Sequence, residues 1–139
     1  MAEQTFEVER RRMVDEQIIR RGLCEPRLLE AMQAVPRHLF VPPEYQEYAY
    51  ADGPLPIGSG QTISQPYIVA LMTQLLELHG TERVLEVGTG SGYQAAVLAH
   101  LAAEVHTVEI LPGLASRAGK ILNRLGVDNI HCHVSDGSL

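Results

Sequence analysis

The segment VLEVGTGSGY, residues 84–93, constrains this chain more than any other. A short apolar run enters three glycines within five residues and passes directly into a stretch rich in Ala and Leu. Glycines tolerate positive φ and let a ligand or a second backbone approach closely, so this reads as strand, tight turn, helix. The pattern around it repeats the alternation. Tyr67–Leu78 has helical spacing of apolar residues (Ile68, Leu71, Met72, Leu75, Leu76), and Arg83–Val87 is a strand followed by a helix over Gly92–Leu101. Val105–Ile110 is a second strand, Leu114–Leu125 a helix closed by Gly126, and Asn129–Val134 a third strand. Strands alternating with helices of about ten residues imply parallel βαβ units. The expected class is therefore α/β, with a Rossmann-like parallel sheet.

Upstream, Glu7–Arg21 reads as a surface helix ending at Gly22, and a second helix runs from Pro26 through Met32 until Pro36 stops it. Together they make an N-terminal helical layer. Between Pro36 and Pro66, six prolines and three glycines break any long element. A loop of that length inside a compact domain calls for a functional reason. We expect one domain over residues 1–139, with helices and a substrate loop in 1–66 and a cofactor-binding half in 67–139. Doubly wound sheets usually continue on the far side of their first strand. The sequence reading therefore expects a front part of a longer protein, incomplete at its C-terminus, with strand 83–87 at an edge open to self-association.

Charge narrows the function classes. With 11 Lys+Arg against 17 Asp+Glu the formal charge is -6, which argues against a general binder of nucleic-acid backbones. No apolar run approaches a membrane span, and the charged N-terminus lacks a secretory pattern, so the expected location is cytoplasmic. Cys24 and Cys132 are too few for a zinc or disulfide framework and read as reduced, partly buried thiols. The six histidines, His38, His79, His100, His106, His131 and His133, are dispersed at element ends and read as surface or packing residues. No metal is expected.

The chemistry gathers where strands end. A ligand can lie on the turn Gly88-Thr89-Gly90 and the start of the helix behind it. Glu109, at the end of the second strand, stands where a carboxylate reaches both hydroxyls of a ribose. Asp136-Gly137, after the third strand, can accept from an adenine amino group. The dinucleotide fingerprint fails because Tyr93 occupies its third glycine position, and no Gly-Lys-Ser/Thr follows the turn to make a Walker site. The pattern is E-x-G-x-G-x-G, with Glu86 ahead of the turn. That suits a ligand carrying positive charge and no phosphate, as S-adenosylmethionine does.

The segments MVDEQIIRRG, VPRHLFVP, PLPIGSGQTISQPYIVALMTQLLEL and RVLEVGTGSGYQAAVLAHL resemble the protein-L-isoaspartate O-methyltransferases, a family of class I S-adenosylmethionine-dependent methyltransferases. The glycine turn is shared by many methyltransferases, whereas GQTISQPY is particular to this family. The resemblance implies that Ser64 is the active-site serine and that Ile57, Gly58, Ser59 and Gly60 form the loop closing over the cofactor. It implies that Gly88, Thr89 and Gly90 hold the methionine end, Glu109 and Ile110 the ribose, and Asp136 and Gly137 the adenine. It further implies methylation of the free α-carboxyl of L-isoaspartyl residues in damaged proteins and peptides, giving S-adenosylhomocysteine. The resemblance also implies that the ester then closes to a succinimide, whose hydrolysis returns some normal aspartate.

The residues themselves fit that chemistry. A carboxylate is ionised at neutral pH and needs no general base, so the protein's task is alignment and exclusion of water. Two rivals remain at this stage: a methyltransferase acting on another nucleophile, and a non-catalytic fragment that binds cofactor or associates through its sheet edge.

Overall fold

The computed structural model describes residues 2–138. The chain forms two compact units, one ending at Glu77 and the other beginning at Leu78. The helix after Pro66 groups with the N-terminal unit, whereas the sequence division at 66/67 assigned it to the cofactor half.

The N-terminal unit opens with α1 (Glu3–Met13), which continues through a π-helical turn Val14–Ile18 and a tight turn Ile19–Arg21 to Gly22 at φ +94°. The helix begins four residues before the expected Glu7. Its first turn is held from outside: Phe6 stacks on the His38 ring at 3.9 Å, and Glu3 Oε2 lies 3.1 Å from His38 Nε2. Phe6, Met13, Val14 and Ile18 are buried, so one face is core rather than surface. α2 (Pro26–Ala34) has proline in its first turn and a cap from Glu25, whose carboxylate accepts from the Leu28 N–H at 2.7 Å. It buries Leu28, Ala31 and Met32.

The Pro-rich stretch resolves into two 3-10 segments, Arg37–Phe40 and Pro43–Tyr48, and a small hairpin of β1 (Leu55–Gly58) and β2 (Gln61–Ile63). Tyr50 ties this region to α1: its hydroxyl accepts from Arg10 Nη1 at 2.9 Å and pairs with His38 Nδ1 at 2.9 Å. Burial, outweighing the nearby Glu3 carboxylate, holds His38 below its ordinary value, so the ring packs there as a neutral group.

α3 (Pro66–Leu75) faces inward through Val69, Ala70 and Thr73, while Ile68, Met72 and Leu75 are exposed. The helix is apolar on nearly every side, and spacing alone does not choose the buried stripe of such a helix.

The second unit is a parallel sheet in the order β3 (Arg83–Val87), β4 (Glu104–Glu109), β5 (Ile130–Val134), with α4 (Tyr93–Ala99) and α5 (Pro112–Arg124) as crossovers. Ala95, Leu98, Ala102 and Val105 form its core, with Val84 and Ile130 packed against it. Strand side chains alternate faces, so Leu85 and Val87 point the other way and are 63% and 65% exposed. β3 is an edge among the described residues, as the sequence reading expects. Cys24 and Cys132 are free and exposed rather than partly buried. Among the described residues no helix is long and apolar enough to cross a membrane.

Candidate active site

In open parallel sheets ligands bind beyond the carboxyl ends of the strands. Here those ends are Val87, Glu109 and Val134, and each runs into a residue singled out from sequence: Gly88, Ile110 and Asp136. The turn after β3 is pinned to β4, because the N–H groups of Gly88 and Thr89 both donate to the Val108 carbonyl, at 2.7 and 3.1 Å. Gly88, Gly90 and Gly92 have φ of +96°, +55° and +92°. A Cβ at Gly88 would meet nothing within 4 Å, so glycine is required there by conformation and leaves open space beside the turn.

Glu109 is 6% exposed, and its carboxylate spans two segments. Oε1 accepts from Gly90 N–H at 2.8 Å and Oε2 from Leu111 N–H at 3.0 Å. Each oxygen keeps a second lone pair for an incoming hydroxyl. The residue is thus a brace for the glycine turn as well as the candidate ribose acceptor. Ile110 beside it is exposed and offers an apolar surface.

Glu86 lies one face inward. Thr107 Oγ1, fully buried, donates to Glu86 Oε1 at 2.6 Å, and Thr89 Oγ1 lies 2.6 Å from Thr107 Oγ1. With its one proton given to Glu86, Thr107 accepts from Thr89, so one chain of hydrogen bonds joins the acid to the turn. Burial pushes the Glu86 carboxyl up to about 7; Thr107 opposes the rise and the neighbouring Glu109 charge adds to it. Among the described residues no cationic side chain is one of the causes that set this value. The open turn, the acceptors on Glu109 and this acid all fit S-adenosylmethionine, whose methionine end is cationic.

Thr107 was not singled out from sequence. The signal was a polar residue in the apolar run VHTVEI, two before Glu109 and therefore on the same face.

Asp136 and Gly137 have local explanations too. The Ser138 hydroxyl, ahead of the Ser138 N–H that donates to Asp136 Oδ1 at 2.9 Å, holds the Asp136 carboxyl below the usual range. Gly137 has φ +84°, and a Cβ there would come 3.1 Å from Val87 Cγ1, so the backbone conformation favours glycine whether or not adenine lies against it.

The loop residues belong to the N-terminal unit. Gly58, Ser59 and Gly60 all have positive φ (+91°, +55° and +71°) and form the hairpin tip. Ile57 is 1% exposed, so its side chain is a core anchor and only its backbone is available to a ligand. Ser64 is exposed directly after β2. The next residue is tethered: Gln65 Nε2 donates to Asp52 Oδ1 at 2.7 Å, Asp52 pairs with Arg21, and the Arg21 guanidinium lies over the Tyr67 ring at 5.3 Å.

The sequence matches the family model described as Protein-L-isoaspartate(D-aspartate) O-methyltransferase over residues 8–139. The chain belongs to this family. It is 58% identical over 134 residues to the protein-L-isoaspartate O-methyltransferase of Geobacter metallireducens, covering 96% of this chain and 62% of that protein. A solved protein-L-isoaspartate O-methyltransferase superposes with a TM-score of 0.84 at 29% identity, over 92% of this chain and 42% of its own. A tRNA methyltransferase of Aquifex aeolicus is 31% identical with a TM-score of 0.53, over 59% of this chain and 34% of its own. The chain thus spans about three fifths of the length of the curated isoaspartate methyltransferase it matches. The Rossmann-like class I fold and the use of S-adenosylmethionine follow from this membership.

Proposed function

We propose that the protein of which this chain is part transfers the methyl group of S-adenosylmethionine to the free α-carboxyl of L-isoaspartyl residues in proteins and peptides. The observation that carries the reading is the family match over both units, glycine turn and GQTISQPY loop alike. When bound, the cofactor supplies an electrophilic methyl on a sulfonium. Glu109 would accept from the ribose hydroxyls, Gly88, Thr89 and Gly90 would line the methionine end, and Glu86 would face its positive charge. Ser64 would donate its hydroxyl to the substrate carboxylate and aim one oxygen at the methyl carbon. That oxygen gains the methyl and the sulfur keeps the electron pair of the broken bond, so no proton has to move. The test is methyl transfer to an isoaspartyl peptide against its aspartyl isomer: label on the first alone is expected, and equal labelling would overturn the substrate assignment. Self-association is a second property proposed for the isolated chain, through the edge of β3 that no strand pairs among the described residues. It would appear as a mass that grows with concentration, and a monomer throughout would count against it.

The raised Glu86 carboxyl links cofactor binding to pH. Only the ionised form attracts a cation, and ionisation is completed as pH rises through about 7. Affinity for S-adenosylmethionine should therefore rise about tenfold from pH 6 to pH 8, following the ionised fraction. Binding at pH 6 should release a proton. Glu86→Gln should flatten the profile in titrations at several pH values; an unchanged slope in that variant would assign the dependence elsewhere.

A further inference from the structure

The face of the sheet opposite the core carries a cluster that the reaction does not use. Strand pairing sets His106 directly beside His131 and Arg83 beside Glu104, and period two puts Glu104 and His106 on one face. Glu104 Oε1 lies 2.7 Å from His106 Nε2 and 3.3 Å from His131 Nε2, and the three donor atoms all fall within 4.8 Å of one another. We propose that Glu104, His106 and His131 form a binding site for a divalent transition-metal ion of the zinc type.

Three features fit such a site. Bonds of about 2.0–2.2 Å to nitrogen and carboxylate oxygen place neighbouring ligands of a tetrahedral ion roughly 3.3–3.6 Å apart. Glu104 Oε1 and His131 Nε2 already stand at 3.3 Å. The half-buried His106 ring, now hydrogen-bonded to Oε1 at 2.7 Å, exchanges that bond for the ion by withdrawing roughly half an ångström. Glu104 divides its oxygens: Oε2 takes Arg83 Nε at 3.2 Å, which steadies the carboxylate and leaves Oε1 for an ion. His106 has a partner on its other nitrogen, with Nδ1 3.1 Å from His133 Nε2. A metal on Nε2 makes Nδ1 the donor in that pair, and a hydrogen bond of this kind fixes the tautomer and ring direction of a ligating histidine. His131 is exposed and the other two ligands are half-buried, so a fourth position is open to water.

The cluster is legible as His131-x-His133 on one strand facing a histidine on its neighbour, a pattern that reading the histidines one at a time does not show. Arg83 and Glu104 open their strands, at the end of the sheet opposite Gly88 and Glu109. The three ligands are therefore shared with none of the candidate cofactor residues, and the proposal does not rest on the function proposed above. An ion here would cross-link β4 to β5.

The test is calorimetric titration of zinc sulfate into the tag-free, metal-stripped chain, with magnesium sulfate as a second probe. One zinc ion per chain in the micromolar range or tighter is expected, with no response to magnesium, because imidazole ligands suit the softer ion. His131→Ala and Glu104→Gln should each reduce affinity by more than about a hundredfold, and His133→Ala by about 10–100-fold as the loss of an orienting partner. His100→Ala should bind as the parent does. Far-UV circular dichroism confirms that each variant is folded, and the exposure of His131 and His133 makes their replacement mild. Absence of saturable one-to-one zinc binding in the folded parent, or binding that survives both His131→Ala and Glu104→Gln, overturns the proposal.

Discussion

Replacing Glu109 with alanine should weaken S-adenosylmethionine and S-adenosylhomocysteine binding by at least about a hundredfold, since two hydrogen bonds from ribose hydroxyls to a carboxylate are worth roughly 1.5–3 kcal/mol each. The structure adds a second consequence. The same carboxylate accepts from the N–H groups of Gly90 and Leu111, and alanine leaves both donors without their acceptor. A fully buried donor left unsatisfied costs about 1–3 kcal/mol and these half-buried ones less, so the melting temperature of the cofactor-free protein should fall modestly as well. Glu109→Gln separates the effects. Its amide oxygen can still accept from one backbone N–H, but it has lost the charge that strengthens bonds from ribose. The glutamine variant should recover part of the stability while remaining weak in calorimetric titration with S-adenosylhomocysteine. Stability that falls while affinity stays at the parent value would make Glu109 a brace of the turn and nothing more.

That dual role shows where sequence reading stops. The three parallel strands and both crossovers were legible because short apolar runs alternate with helical spacing and glycines mark the turns; β3 lies at Arg83–Val87, as its pattern states. A period also says which residues share a face. It does not say what that face meets, so α3 was assigned its helix without its buried side, and the start of α1 was missed because His38 and Tyr50, far along the chain, hold it. The candidate site was legible by residue type at strand ends. What the sequence could not display was the second use of those residues, such as Gly137 held at positive φ against Val87, or Thr107 bridging Glu86 and Thr89 from mid-strand. Contacts between strands depend on register, and register is a property of the folded sheet.

Ser64→Ala, made in a polypeptide of the relatives' full length, should lower kcat/KM for an isoaspartyl peptide by about one to two decades, the worth of one hydrogen bond to a charged group at roughly 1.5–3 kcal/mol. Cofactor affinity should stay close to the parent value, since the lost bond is to the substrate. The residue is exposed, and none of the hydrogen bonds among the described residues ties down its hydroxyl, so alanine removes little from the folded state. The next residue is tethered instead, through the chain Gln65, Asp52 and Arg21. The Arg21 partnership, ahead of the bond from Gln65, holds the Asp52 carboxyl below its ordinary value, so the tether stays charged well into the acid range. Gln65→Ala should then reproduce part of the Ser64→Ala loss in kcat/KM with the serine still present, which a serine engaged only in a local turn before Pro66 would not allow. Parallel loss of cofactor binding and activity in Ser64→Ala, or a fall in melting temperature large enough to account for the activity, would place the serine in the framework of the loop and remove it from substrate recognition.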